Sequence, residues 1–353
     1  MLKRLYDTCL LRPADVPASD ERLEVIGVFN PGVAEVDGEV VLLVRVAERP
    51  REQRPGKVAL PRYTPEGALI VDWHKEDEVE GRDPRFKTVR ADGSIRLTFV
   101  SHLRVLRCGD GRRVRHVEDV LFLPRAEEET FGVEDPRVTK IGETFYFTYV
   151  AVSPHGATTA LASTQDFRTF TRHGIIFPCE NKDVLLFPRQ INGEYVCYHR
   201  PNPSYHFTPP EMWIAHSPDL RYWGGHRPLH SGTGAWTAGR IGGGVPPLET
   251  PEGWLEIYHG NAKPTGEQAV GTYMAAAFLT PLDEPGRIIR HTPRPIMGPE
   301  REFERHGFVG DVVFPTGAVR RGEVLQVFYG AADENIGVVE FSMAELMDAL
   351  EPV

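Results

Sequence analysis

An all-β fold is what this sequence predicts, and three observations predict it. A Gly-containing turn, usually Gly-Glu, followed by an alternating apolar run ending in polar or aromatic residues, recurs five times along the 353 residues. The segments that precede those turns begin alike, with polar residues at the strand entrances. Helix-forming stretches are scarce, and 30 prolines and 34 glycines suit a turn-rich plan. Five sheet-like units of roughly fifty to seventy residues, their inner strands starting near a central pocket, fit blades set about an axis. The expected architecture is a single-domain five-bladed β-propeller over residues 1–353 with a short C-terminal helix.

The copies are Asp37-Gly38-Glu39 before VVLLVRVAE, Gly142-Glu143 before TFYFTYVAV, and Asn192-Gly193-Glu194 before YVCYHRP; Glu252-Gly253 before WLEIYHG and Gly322-Glu323 before VLQVFYG complete the set. Each reads as a β-hairpin, because Asp-Gly and Asn-Gly tolerate the positive φ of tight turns and the flanks are rich in Val, Tyr, Phe and Trp. Counting seven residues from each turn glycine gives Arg45, Tyr149, Arg200, Gly260 and Tyr329, with His199 and His259 one residue earlier. The strand entrances are Asn30-Pro31, Glu134-Asp135-Pro136, Asn181-Lys182-Asp183, Gly242-Gly243-Gly244 and Gly310-Asp311. The gap from Gly38 to Gly142 is twice as long as the others. It holds a charged stretch at 49–62 and strand-like runs at 96–106 and 117–123, and reads as a decorated first blade. A sixth, degenerate blade hidden there is the alternative. Ser342, with Glu345 three residues on, starts a capping-box helix over 342–350.

With 41% hydrophobic and 25% charged residues the chain has material for a buried core. A net charge of −10 argues against a nucleic-acid surface, which needs clustered Lys and Arg. The N-terminus has no continuous apolar core and no later stretch is long enough to span a bilayer, so a cytoplasmic protein with no membrane partner is expected. Cys9, Cys108, Cys179 and Cys197 are scattered without C-x-x-C spacing and read as reduced thiols. Homo-oligomer formation is left open.

The best catalytic candidate is Asp135, in Gly132-Val-Glu-Asp-Pro-Arg137. It stands beside Glu134 at a strand entrance, Pro136 fixes the local backbone, and repulsion between adjacent carboxylates raises the pKa of one toward that of a useful acid. The bland reading of Asp-Pro is a turn. Lys182, Arg200, Arg240 and His259 lie at strand entrances or ends of three successive repeats, where a propeller brings them to one mouth of its axis. There they could hold a phosphate, Arg by its planar fork, Lys as a point charge and His by a hydrogen bond, although any one of them alone reads as a solvated charge. The glycines 242–244 lack the spacing of a nucleotide loop, no H-E-x-x-H pair points to a metal, and there is no G-x-S-x-G elbow. Trp213, Trp223, Trp236 and Trp254, with Tyr198, Tyr205 and Tyr258, give mid-chain an aromatic bias suited to sugar faces; most of them are equally well explained as core.

Taken in order, Gly-Val-Glu-Asp-Pro-Arg at 132–137, Asn-Lys-Asp-Val-Leu-Leu-Phe-Pro at 181–188, Tyr-His-Arg-Pro at 198–201 and Gly-Gly-Gly-Val-Pro-Pro at 242–247 resemble glycoside hydrolase family 130. Ile257-Tyr-His-Gly260, Val313-Phe-Pro315 and Tyr329-Gly-Ala-Ala-Asp333 extend the resemblance from about Asn30 to Asp333. It implies a five-bladed propeller acting on β-mannosides, with Asp135 as general acid passing its proton through a sugar hydroxyl, and inverting attack from the opposite face. It also implies that Asn30, Arg45, Glu134 and Asp333 contact the mannosyl unit, and that Lys182, Arg200, Arg240 and His259 gather inorganic phosphate as co-substrate, with no cofactor or metal.

Arg at both 200 and 240 favours phosphorolysis, giving α-mannose 1-phosphate from a β-1,2- or β-1,4-linked oligosaccharide. Two features depart from the phosphorylase pattern: Arg240 stands where Lys is common, and the Tyr expected after Tyr-His-Gly has Tyr273 as its nearest substitute. An inverting β-mannosidase remains the alternative and would need Glu180, Asp183 or Asp311 to activate water. A non-catalytic sugar-binding propeller is the lesser alternative.

Overall fold

Uninterrupted apolar runs such as Val40–Val44 form strands whose two faces are both buried. The computed structural model describes residues 1–202, 207–265 and 270–353. It is all-β, with α-helices among the described residues only at Glu302–Arg305 and Met343–Asp348.

Five antiparallel units follow one another. The first comprises Leu23–Val36, Glu39–Pro50, Val100–Arg107 and His116–Phe122; the second comprises Gly132–Ile141, Thr144–Ser153, Gly156–Thr164 and Thr171–Phe177. The third runs Asn181–Leu186, Tyr195–Pro201, Glu211–Ser217 and Gly224–Ser231, and the fourth Arg240–Gly243, Gly253–Asn261, Tyr273–Thr280 and Arg290–His291. In the fifth, Val313–Arg321, Val324–Ala331 and Asn335–Ser342 are completed by Tyr6–Leu11 from the N-terminus. The first two units join into one eight-stranded sheet at a single parallel pairing, Gly132 with Ser101.

Each unit buries one face against its predecessor and the other against its successor. Val40, Leu42 and Val44 pack toward Val319, Phe328 and Val338 of the fifth unit, whereas Val41 and Leu43 pack toward Val133, Phe147 and Tyr149 of the second. Leu161 and Ile176 meet Val184 and Leu186, Leu185 and Tyr198 meet Ile241 and Trp254, and Leu255 and Ala277 meet Val313 and Val327. The period-two alternation of a strand thus sorts consecutive apolar residues into two interfaces. Contacts between inner strands link the first, second, third and fourth units in turn and the fifth to the first, while the inner strand of the fifth meets the second and third strands of the fourth.

The hairpins form as expected, with a correction to their register. Asp37-Gly38 and Asn192-Gly193 are two-residue turns with positive φ at both positions, so the glycine comes second. In Gly142-Glu143 and Gly322-Glu323 the glycine comes first. Counting from the glycine therefore slips by one residue, which turns a strand side chain to the opposite face. Arg45 and Arg200 face the centre, but Tyr149 and Tyr329 point into the core, donating to buried Glu129 and Glu304 at 2.6 Å each. In the fourth unit Pro251 and Glu252 make the turn, and Gly253 opens the strand where a Cβ would stand 2.2 Å from the Thr280 carbonyl.

The long first gap holds an insertion between the second and third strands of the first unit. A hairpin of Lys57–Tyr63 with Leu69–Lys75 is followed by a small sheet of Val79–Glu80, Phe86–Val89 and Ile95–Leu97. The expected strand at 96–106 divides into Ile95–Leu97 and Val100–Arg107, because Thr98 and Phe99 carry the chain from the insertion back to the unit. The C-terminal helix is Met343–Asp348, with the Ser342 hydroxyl accepting from the Glu345 amide at 3.3 Å. All four cysteines are free, and no described helix is long and apolar enough to cross a membrane.

Candidate active site

Three inner strands carry a β-bulge at equivalent places, between Phe29 and Gly32, Glu134 and Arg137, and Lys182 and Leu185. At each bulge an Asn or Asp adopts the left-handed conformation: Asn30 (φ 50°), Asp135 (φ 50°) and Asp183 (φ 53°). These are the non-glycine residues that tolerate positive φ best, and a bulge re-aims the side chain it carries. The polar entrances seen in the sequence are thus a repeated backbone device.

Arg45, from the second strand of the first unit, bridges two carboxylates of the second. One terminal nitrogen donates to Glu134 at 2.7 Å and the other to Asp135 at 3.0 Å, while Nε donates to the Ser101 hydroxyl at 3.3 Å and the guanidinium lies 4.5 Å from the Phe29 ring centroid. Asn30 Nδ2 donates to the same Asp135 oxygen at 2.8 Å. Burial pushes the Asp135 carboxyl up, but the Arg45 guanidinium, the Asn30 amide and the charges of Lys182 and Arg137 outweigh it and hold it below the ordinary carboxylate range. The expected rise within the Glu134–Asp135 pair thus does not fall on Asp135, because Arg45 stands between the two. It falls on Asp333, where burial is the main cause and the charges of Asp135 and Glu134 add to it, so that its carboxyl is pushed up to about 6.

The other side of the site is basic. Arg200 Nε donates to Asp183 at 2.7 Å, Arg137 reaches the other oxygen of that carboxylate at 3.3 Å, and His259 Nε2 stands 3.4 Å from it. Arg137 also donates to the carbonyls of Gly243, Gly244 and Pro315, so one buried guanidinium ties the second unit to the third, fourth and fifth.

Asn30, Arg45, Glu134, Asp135, Lys182, Arg200, Arg240 and Asp333 all line one cavity of about 320 Å³. His259 does not line it. It is 1% exposed, stands behind Asp183 with its ring 4.2 Å from that of Phe314, and burial holds it below the usual imidazole range. Tyr273 does line the cavity, near enough to Arg240 and Arg200 to feel their charges. Glu180 is exposed and accepts from the Asn202 amide.

The aromatic wall came from elsewhere than the sequence suggested. Trp254, Tyr198 and Tyr258 are core, Trp213, Trp223 and Trp236 do not line the cavity, and Tyr205 lies outside the described residues. Phe29, Phe86, Phe99, Phe308 and Phe314 line it instead, with Arg85 and Leu97. Phe86, Leu97 and Arg85 belong to the insertion and Phe308 to the segment before the fifth unit, and neither segment carries the repeat that marked the other site residues. Arg137 lies within the Gly132–Arg137 motif, but no spacing rule points to its contacts with three other units.

The family profile described as beta-1,4-mannooligosaccharide phosphorylase matches residues 83–352. A beta-1,2-mannobiose phosphorylase of Listeria innocua is 40% identical over 99% of this chain and 98% of its own. A 1,2-beta-oligomannan phosphorylase of a Thermoanaerobacter species is 32% identical over 70% of this chain and 81% of its own. The solved structure of the Listeria innocua beta-1,2-mannobiose phosphorylase in complex with beta-1,2-mannobiose superposes with a TM-score of 0.87 at 40% identity, covering 96% of each chain.

Proposed function

The chain belongs to glycoside hydrolase family 130, and from that premise we propose that it is a β-mannoside phosphorylase, cleaving β-1,2-mannobiose with inorganic phosphate to give α-mannose 1-phosphate and mannose. The observation that carries the reading is one cavity lined both by the carboxylates of Glu134, Asp135 and Asp333 and by the cations of Lys182, Arg200 and Arg240. A water-using enzyme gains nothing from these cations. Phosphate, a dianion near neutral pH, is matched by them.

In this reading Asn30, Arg45, Glu134 and Asp333 hold the mannosyl unit and Asp135 is the general acid. A phosphate oxygen attacks the anomeric carbon from the face opposite the leaving oxygen. The glycosidic C–O bond breaks, and Asp135 supplies the leaving oxygen with a proton by way of a sugar hydroxyl, becoming a carboxylate. Arg45 and Asn30 stabilise that carboxylate, and the anionic charge of bound phosphate offsets the cations that keep Asp135 ionised in the empty site. Both oxygens of Asp183 already accept from arginines, and those cations hold its carboxyl well below the ordinary carboxylate range and make it a weak base toward water, which counts against the hydrolytic alternative. The five units, the contacts that run from each to the next and from the fifth back to the first, and the five intervening cores support a five-bladed propeller with the cavity at its axis.

The test is incubation with β-1,2- and β-1,4-mannobiose, with and without phosphate, assaying mannose 1-phosphate and free mannose. Phosphate-dependent mannose 1-phosphate from the β-1,2 substrate is expected. Equal mannose release without phosphate overturns the reading in favour of hydrolysis.

A further inference from the structure

We infer that Asp183 is a positioning residue for phosphate, a buried carboxylate that acts through Arg200 by fixing its guanidinium on the basic side of the cavity, with His259 bracing the carboxylate from behind. The inference rests on the phosphorolytic reading above. Asp183 sits at the bulge of the third unit, its side chain 2% exposed, with the carboxylate turned toward the fourth unit. Arg200 Nε at 2.7 Å and His259 Nε2 at 3.4 Å share Oδ2, and Arg137 takes Oδ1 at 3.3 Å. Both oxygens are therefore committed to basic groups of the protein.

The geometry divides Arg200 into two parts. Its Nε is spent on Asp183, and among the described residues no hydrogen bond reaches its two terminal nitrogens. Arg200 lines the cavity, so a planar guanidinium pinned at one edge has its outer edge left for paired phosphate oxygens. An unpinned arginine would have to lose rotamer freedom on binding; this one has lost it on folding.

A second observation comes from the glycine run that the substrate chemistry left unexplained. A Cβ on Gly242 would stand 2.6 Å from Asp183 Oδ2 and 2.8 Å from both His259 Cε1 and Nε2; one on Gly243 would stand 2.4 Å from Leu185 Cδ1. Such distances are below van der Waals contact, and neither group is a free-swinging chain end. The missing side chain at 242 is the clearance that lets the carboxylate of the third unit meet the imidazole of the fourth.

The experiment measures KM for phosphate and for mannobiose in the wild type, Asp183→Asn, Arg200→Gln and the double variant. Wild-type phosphate dependence is established first, so failure of the phosphorolytic reading is seen before any variant is made. Asp183→Asn keeps the shape and removes the charge; it is expected to raise the phosphate KM by about 10-fold or more while the mannobiose KM stays within about 2-fold. The double variant is expected to be no worse than Arg200→Gln alone, because both changes disable one unit. Gly242→Ala, which leaves every charge in place and wedges a methyl against the same contact, is the second arm should Asp183→Asn fail to unfold cooperatively. It is expected to raise the phosphate KM in the same selective way. An unchanged phosphate KM in the folded variant, effects that multiply in the double variant, or loss of kcat with phosphate KM unchanged each overturns the inference.

Discussion

Arg45 donates to the Asp135 carboxylate at 3.0 Å across 90 residues of sequence, joining the second strand of the first unit to the inner strand of the second. This pair and the Asn30 amide at 2.8 Å define the state of the proposed acid, an ionised carboxylate held by two donors in the empty site. A group that ends the reaction as a carboxylate is well served by such donors, since they stabilise the state reached after proton transfer.

Asp135→Asn preserves the shape of the side chain and removes the transferable proton. Turnover is expected to fall by about 10²- to 10⁴-fold, the ordinary worth of a positioned acid. Folding should survive, because the cores between units do not include this side chain. Initial rates and thermal unfolding of the same preparation check both halves.

Arg200→Ala separates the two ligands of the site. The phosphate KM is expected to rise at least about 10-fold with little change in the mannoside KM, as expected when a charge-assisted contact to one ligand is lost. The same change removes the 2.7 Å partner of a buried carboxylate, so stability should drop by about 2 kcal/mol, moderated by Arg137 and His259, which stay beside Asp183. Steady-state kinetics in both substrates and urea unfolding read the two effects.

Much of this was legible in the residues and some was not, for identifiable reasons. Turn glycines and apolar runs exposed five units because a hairpin has a local chemical signature. Asn30, Asp135 and Lys182 were found because each unit repeats a polar strand entrance. Tyr149 and Tyr329 share a spacing with Arg45 and Arg200 but not a face, because whether a glycine stands first or second in its turn decides the face of every residue after it, and spacing alone does not say which. His259 was placed with the phosphate residues by its strand position and by resemblance, whereas its ring is buried behind Asp183; depth behind a neighbour is a tertiary property. Phe308 and the part that Arg85, Phe86 and Leu97 of the insertion take in the cavity lining escaped notice because nothing repeats them.

Phe308 offers a test of that unrepeated wall. It is 40% exposed, packs edge-to-face on Phe99 with centroids 6.3 Å apart, and lines the cavity beside Arg85 and Phe86 of the insertion. An exposed phenylalanine at the mouth of a sugar site serves as a stacking surface, and Phe308→Ala is expected to raise the mannoside KM by about 2- to 10-fold with the phosphate KM unchanged. The candidate phosphate residues Lys182, Arg200 and Arg240 belong to the third and fourth units, so an equal effect on both substrates would mean that Phe308 is structural.

Asp333 carries the clearest pH dependence. Its carboxyl faces the cavity but lies deep in it, and burial, with the charges of Asp135 and Glu134, pushes it up to about 6 although Arg45 and Arg85 oppose the rise. In the unfolded chain the same group titrates at its ordinary value of 3.8. Between those two values the folded protein keeps a proton that the unfolded chain has released. The stability linked to this group is therefore whole below about pH 4 and is lost as pH rises through about 6. Asp333→Asn removes that dependence while keeping the size and polarity of the side chain. Relative to the wild type, the variant should gain about 1 to 2 kcal/mol on going from pH 4 to pH 7.5, allowing for screening by water in the cavity. Urea unfolding at the two pH values gives the difference directly, and lowered-pKa groups such as Asp7 and Glu48 cancel in it because both proteins carry them. A gap that stays constant between pH 4 and 7.5 would mean that Asp333 is ionised throughout, as Arg45 alone would make it.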